Sequence, residues 1–167
     1  TTASDNTAIG FGSLSTNVTG TRNTAVGSLT LVGNTTDDNT AVGYNTLCAN
    51  TTGTRNTAMG SLALDTNTTA SDNTEFGYNS LTANITGGQN TAMGSFALYS
   101  NTTASNNTAV GYSSLSSNTT GTRNVGLGSF SLVANTTGND NIAIGYGAMC
   151  NSTTSVGSRN VIIGSLA

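Results

Sequence analysis

Asn39-Thr40-Ala41-Val42-Gly43 is preceded by Asn23-Thr24-Ala25-Val26-Gly27 and followed by Asn56-Thr57-Ala58-Met59-Gly60. The same phrase, an Asn, a short apolar-bearing stretch and a Gly, occurs ten times, from Asn6-Thr-Ala-Ile-Gly10 to Asn160-Val-Ile-Ile-Gly164. The Asn-to-Asn steps are 17, 16, 17, 17, 17, 17, 17, 17 and 19. A tandem unit this short cannot enclose a core alone and becomes stable only by stacking on its neighbours along an axis. The expected fold is therefore all-β, a parallel β-solenoid or β-roll of about ten 17-residue coils that forms fibres. Residues 1–167 are expected to be one repeat segment, a window of a longer array because both ends fall in mid-repeat.

Thr, Asn, Ser and Gly dominate, and only 7% of residues are charged. Such a composition also suits a disordered chain, but the register excludes that reading. The residue before each Gly is Ile9, Val26, Val42, Met59, Phe76, Met93, Val110, Leu127, Ile144 and Ile163. Four residues after Gly stand Leu14, Leu31, Leu47, Leu64, Leu81, Leu98, Leu115, Leu132 and Met149. Disorder gives no reason to hold two apolar columns in step. Alternation sends Thr24 and Val26 to one face of a strand and Ala25 and Gly27 to the other. The small Ala column leaves room for a neighbouring backbone or chain, and the Leu column is expected to return as a second inward strand.

The leading Asn (Asn6, Asn23, Asn39, Asn56, Asn73, Asn90, Asn107, Asn124, Asn141, Asn160) is read as a structural ladder, because stacked carboxamides can bond along the axis. A second Asn (Asn17, Asn34, Asn50, Asn67, Asn84, Asn101, Asn118, Asn135, Asn151) falls in the opposite turn, each two residues ahead of a Thr. These nine satisfy the rule for N-glycosylation, so covalent glycans there or on the adjacent Thr hydroxyls are one expectation. Plain turn chemistry is the other. One-residue slips beside these turns, as in Asn34-Thr-Thr-Asp37-Asp38, sit where a solenoid tolerates length changes.

A weaker signal runs at twice the period. The residue after Gly alternates between Phe11, Tyr44, Tyr78, Tyr112, Tyr146 and Ser28, Ser61, Ser95, Ser129, Ser165. The next position alternates in the opposite sense, with Leu29, Leu62, Phe96, Phe130 and Leu166 in the Ser units. Arg22, Arg55, Arg123 and Arg159 precede the Asn of Ser units, and Asp5, Asp38, Asp72 and Asp140 precede it in aromatic units. The duplicated unit is thus a 34-residue pair. A physical coil of one repeat puts Arg beside Asp, whereas a coil of two repeats stacks Asp on Asp and Arg on Arg but aligns the tyrosines. The charges favour one repeat per coil.

The Ala-[Ile/Val]-Gly signature in Ala8-Ile9-Gly10, Ala25-Val26-Gly27, Ala41-Val42-Gly43, Ala109-Val110-Gly111 and Ala143-Ile144-Gly145 resembles the repeats of trimeric autotransporter adhesin heads. It is more similar still to the Asn-Thr-Ala-Val-Gly-Tyr arrays of bacteriophage and algal-virus tail fibres. That resemblance implies a parallel β-roll, usually left-handed, assembled as a trimer and serving as a stalk or adhesive head. The unit here is longer than the adhesin-head unit by its Asn-Thr-Thr-Gly turn.

Catalytic residues are not expected. The chain has no His or Lys, and its carboxylates are spread through a turn column, so no convergent acid, base and nucleophile can be named. Glu75, which replaces an Ala in the strand phrase, is read as a surface or edge-blocking charge. No cofactor or metal site is expected, since the Gly residues form no phosphate cradle and the Asp spacing is not that of a calcium roll. Four Arg against seven acidic residues give a net charge of -3, so there is no basic patch for nucleic acid. No apolar run approaches the roughly 18 to 20 residues of a membrane-spanning helix. Cys48 and Cys150 occupy the same repeat position six units apart, about 29 Å at about 4.8 Å per coil, beyond disulfide reach.

The leading functional expectation is a structural fibre or filament on an extracellular, cell-surface or virion surface, self-assembling end to end or as a trimer. The alternative is a carbohydrate-binding adhesin or receptor-binding shaft that stacks sugars on Phe11, Tyr44, Tyr78, Tyr112 and Tyr146. A third expectation is ice binding by Thr rows beginning at Thr19, Thr52, Thr69 and Thr86.

Overall fold

The computed structural model describes residues 2–150 and 157–167. Ten short strands, one per repeat, form a single parallel sheet: β1 (Thr7–Ile9), β2 (Thr24–Val26), β3 (Thr40–Val42), β4 (Thr57–Met59), β5 (Thr74–Phe76), β6 (Thr91–Met93), β7 (Thr108–Val110), β8 (Val125–Leu127), β9 (Ile142–Ile144) and β10 (Val161–Ile163). Their spatial order is their sequence order, and equivalent residues pair, Ala25 with Ala41 and Val26 with Val42. One repeat makes one coil, so the molecule is a β-solenoid in which most equivalent groups meet across a sequence separation of 17, as Asn39 and Asn56 do. The duplicated pair is two coils.

Strands β2 to β9 bury their middle residue and turn the flanking two outward, whereas at the ends Ala8 is exposed and Ile162 half-buried. Ala25, Ala41, Ala58, Ala92, Ala109 and Ala143 are fully buried, and they pack against the Leu column from Leu31 to Leu132. The close approach that the small Ala column permits is therefore made inside the coil, across to Leu. From the second coil to the eighth, each coil contributes one fully buried Leu to the core, and Leu14, Met149 and Ile162 pack against it at the ends. The rest of the interior is small or polar, including fifteen buried asparagines among the described residues.

The Leu column does point inward, but it is not a second strand. After each Gly the chain enters a turn segment in which positive φ falls on alternate residues: +57° at Leu29 and +49° at Leu31, but not at Thr30. The column from Leu14 to Leu132 lies between +49° and +53°. This left-handed backbone costs an L-residue roughly 1–2 kcal/mol, while fully burying a Leu is worth about 1.5–3 kcal/mol. Burial can thus hold a conformation that Leu has no intrinsic preference for. The turn segment also keeps its backbone ladder: Leu31 N donates to Thr46 O at 3.2 Å and Leu47 N to Ala63 O at 3.0 Å.

Glu75 is the clear correction. It occupies the Ala column between Ala58 and Ala92, is fully buried, and has no hydrogen-bond partner for either carboxylate oxygen. Strand parity overrides charge here, because β5 cannot turn Glu75 outward without turning Thr74 and Phe76 inward.

Candidate functional site

The leading asparagines form a continuous ladder. The backbone N–H of each donates to the side-chain oxygen of its predecessor, from Asn23 N to Asn6 Oδ1 at 2.8 Å through to Asn160 N to Asn141 Oδ1 at 3.1 Å. Their Nδ2 atoms donate to a carbonyl that closes the same coil, as Asn56 does to Ala70 O at 2.9 Å. The second asparagines converge on that carbonyl from the other side. Asn67 Nδ2 donates to Ala70 O at 3.1 Å and to Asn50 Oδ1 at 2.9 Å. The pattern recurs at Gly87, Ala104, Gly121 and Gly138. Each of these coils is closed by one carbonyl clamped between two asparagines, and both asparagine columns also run along the axis.

That clamp bears on glycosylation. An attached sugar needs Nδ2 in solvent. At Asn34, Asn50, Asn67, Asn84, Asn101, Asn118 and Asn135 the whole side chain is buried and Nδ2 donates inward, so the folded rod has no room for a glycan at these seven positions. Asn17 is half-buried with Nδ2 on Gly20 O at 2.9 Å, and Asn151 lies outside the described residues. The sequon spacing is a by-product of a ladder that needs Asn inside and Thr outside. Asn101→Ala is expected to remove buried hydrogen bonds on both sides, Asn84 Oδ1, Asn118 Nδ2 and Ala104 O each losing one of two partners, at about 1–3 kcal/mol in all. Thermal unfolding followed by circular dichroism measures the loss.

The turn threonines sort into two rows. Hydroxyls of the inner row are committed along the axis, Thr51 Oγ1 to Thr68 O at 2.9 Å and Thr119 Oγ1 to Thr136 O at 3.0 Å. The outer row, which contains Thr19, Thr52, Thr69 and Thr86, lies toward solvent, but the shortened step at Asn34-Thr35-Thr36-Asp37 omits its member there, and the Thr19 hydroxyl turns to Thr35 O at 2.7 Å. An ordered ice template needs an unbroken row, and this one is interrupted.

Except at Gln89 and Asn106, Arg and Asp alternate along an exposed column whose backbone is again left-handed, +57° at Arg22 and +62° at Asp38. Arg22 grips Asp38 through Nε and Nη2 at 2.6 and 2.9 Å, and Arg55 with Asp72 and Arg123 with Asp140 repeat the fork. Each of these Arg residues thus forms its fork with the Asp of the following coil. The Arg hydrogen bond, aided by its charge, holds the carboxyls of Asp38, Asp72 and Asp140 below the ordinary range.

The opposed alternation after Gly becomes one diagonal stripe. The amide of Phe96 donates to Tyr78 O at 3.0 Å and that of Phe130 to Tyr112 O at 2.9 Å, which seats the bulky residue of each Ser coil beside the aromatic of the coil before. Tyr78, Phe96, Tyr112, Phe130 and Tyr146 form an unbroken edge-to-face series with ring centroids 5.5, 6.0, 5.3 and 6.0 Å apart. Toward the other end Leu29 and Leu62 are bonded in the same way behind Phe11 and Tyr44. The five aromatics named from sequence therefore share one stripe with residues from the intervening coils, and Phe11, Tyr44, Tyr78, Tyr112 and Tyr146 are all exposed. The single-repeat coil achieves the aromatic ladder that tyrosines alone would have needed a double-length coil to make.

Beside this stripe the outward face of the sheet carries a second apolar row, with Ile9, Met59, Phe76, Met93, Leu127 and Ile163 exposed. Tyr99 breaks the repeat. Its column otherwise reads Ser15, Val32, Cys48, Asp65, Thr82, Ser116, Val133 and Cys150, and its ring lies 5.7 Å from Phe96. Sequence periodicity passes over it because its column has no other aromatic.

Cys48 and Cys150 are free and half-buried, and burial, with Asp65 nearby, pushes the Cys48 thiol up. Among the described residues no three His, Cys, Asp or Glu side chains gather as a metal-ligand group, and no helix is long and apolar enough to cross a membrane. No family model, curated protein or solved structure matches the chain.

Proposed function

We propose that this chain is a shaft segment of a structural fibre, exposed on a cell or virion surface, whose work is length, stiffness and display. The observation that carries this reading is the pair of asparagine ladders. They join coil to coil along the axis of the backbone ladder, each asparagine donating to its predecessor, so each coil offers its neighbour the pattern it has itself received. Such an array has no intrinsic length, and the nonpolar side-chain mass per coil is too small for a compact globule. Ten coils at about 4.8 Å each make a rod roughly 45 to 50 Å long.

Lateral self-association belongs to the same reading. The exposed row of Met59, Phe76 and Met93 on the outer sheet face gives a second copy an apolar strip to cover, and the family resemblance implies three copies about one axis. Electron microscopy of the purified chain is expected to reveal rods, and light scattering a mass above one chain. Compact monomeric particles would overturn the proposal. The double substitution Met59→Glu with Met93→Glu is expected to release single chains while leaving the circular dichroism spectrum unchanged, because both side chains face solvent.

The continuous aromatic stripe supports a second reading, a carbohydrate-binding shaft. Tyr and Phe rings present apolar faces, a surface suited to sugar rings. Binding on a glycan array that disappears when Tyr44, Tyr78, Tyr112 and Tyr146 are replaced by Ser separates this role from that of a bare stalk.

A further inference from the structure

Where Tyr99 interrupts its column, the aromatic stripe widens into a groove of about 320 Å³. Phe96 and Tyr99 from one coil and Tyr112 from the next form its apolar wall, and Ser100, Ser113, Ser116 and Ser117 line the remainder. The serines come from two adjoining stretches, Tyr99-Ser100 and Tyr112-Ser113-Ser114-Leu115-Ser116-Ser117. The hydroxyl of Ser114 is used internally, on Gly126 O at 3.0 Å and Ser131 Oγ at 2.8 Å. The four lining hydroxyls have no such side-chain hydrogen bond among the described residues, so they are free to serve a ligand.

We infer that this groove is a binding subsite for a neutral saccharide. The ligand chemistry follows from what lines the wall. Three rings within one small concavity offer C–H-binding faces, two phenol and four serine hydroxyls can donate and accept, and neither a carboxylate nor a guanidinium lines it. A phosphate or carboxylate ligand would find no cation. A purely aliphatic one would leave the hydroxyls unpaired on desolvation. A sugar ring satisfies both halves, its C–H face on Tyr99 or Tyr112 and its hydroxyl edge toward Ser113, Ser116 and Ser117. The volume lies at the small end of the range for ligand pockets and suits one or two sugar units.

The inference is independent of the fibre reading and narrows the carbohydrate-binding one. It assigns recognition to the one place where the repeat is broken instead of to the whole stripe. Saturation-transfer NMR on the intact chain with methyl α-mannoside, methyl β-galactoside and N-acetylglucosamine, each with its β-linked disaccharide, tests it. At least one probe is expected to bind. Tyr99→Ser should weaken that binding at least tenfold, Ser116→Ile should block the groove without removing a ring, and Tyr44→Ser should change affinity less than twofold. Tyr99→Phe should retain most of the affinity by keeping the ring. Melting curves check that the Tyr99 variants, altered at a side chain that is 42% exposed, still fold. If none of these sugars binds, the subsite and the carbohydrate-binding reading fall together. If Tyr44→Ser weakens binding as much as Tyr99→Ser, the subsite alone falls and recognition belongs to the stripe.

Discussion

Gly94→Ala is expected to cost about 3 kcal/mol and to lower the melting temperature by on the order of 10 °C. Gly94 directly follows β6 at φ +137°, and a Cβ there would stand 2.6 Å from the carbonyl oxygen of Gly111 and 2.7 Å from its carbonyl carbon. The obstructing atoms are backbone, and they cannot retreat. Gly94 N is bonded to Phe76 O at 2.7 Å and Gly111 N to Met93 O at 2.8 Å, so the two coils are held in one ladder. Backbone strain of about 1–3 kcal/mol adds to an overpacking cost of about 1–3 kcal/mol, and a chain of this size loses roughly 2–4 °C per kcal/mol. Gly33→Ala is the matched control. Gly33 has no positive φ, its added Cβ would meet Asn50 O at 3.3 Å, and Ala49 already holds the equivalent place in the next coil. That substitution should be nearly neutral. Thermal melts of the two variants give the comparison, and a Gly94→Ala protein as stable as Gly33→Ala would mean that the glycines do not stack as described. Hydrogen exchange should place the damage in the coils around β6 and β7, because stability in a solenoid is a sum over neighbouring coils.

The same glycines mark what can be read from the chain before its structure is known. Periodicity, strand register and the one-repeat coil follow from columns held in step, and the alternation of Arg22, Asp38, Arg55 and Asp72 selects the single repeat over the pair because like charges would otherwise stack. The conformation of the Leu column is not legible in the same way. Leu has no left-handed preference, and only packing against the Ala column makes +49° at Leu31 worth adopting. The second asparagines mislead for a related reason. Asn-Thr-Thr is ordinary turn chemistry and suggests an exposed loop, whereas the fold turns Asn67 inward to share Ala70 O with Asn56 and leaves Thr69 outside. The groove at Tyr99 escapes any reading that looks only for what repeats. Sites in a repeat protein arise where one coil departs from the others, and a column-by-column search for single exceptions finds both Tyr99 and Glu75.

Glu75→Ala is expected to stabilise the protein at neutral pH by more than the about 1–3 kcal/mol that its unsatisfied oxygens cost when neutral, with a gain that shrinks as the pH is lowered toward 4. The native side chain lies between Ala58 and Ala92 with both oxygens unpaired, and burial pushes its pKa well above the ordinary carboxylate range. A folded pKa raised above the unfolded one means that stability is fullest below the unfolded value, about 4.3, and is lost as the pH rises toward the folded value. The loss accrues at about 1.4 kcal/mol per pH unit while the unfolded chain is ionised and the folded chain is not. Below that window the neutral acid still costs about 1–3 kcal/mol for its unsatisfied oxygens, so some advantage for Ala persists there. Glu75→Gln separates the two contributions, since it keeps an unpaired polar group in the core and removes the titration. Its stability should change less between pH 4 and pH 8 than that of the unaltered protein. A small residual slope of the same sign should survive from Asp65, whose carboxyl burial also raises. The Arg22–Asp38, Arg55–Asp72 and Arg123–Asp140 pairs act in the opposite direction. Their lowered carboxyl values make stability fall only as the pH drops below the ordinary range, outside the window in which Glu75 acts. Thermal unfolding of all three proteins at pH 4, 6 and 8 decides the matter. An unaltered protein as stable at pH 8 as at pH 4, or a Glu75→Ala protein less stable than it at pH 8, would mean that Glu75 is not sealed inside the fifth coil.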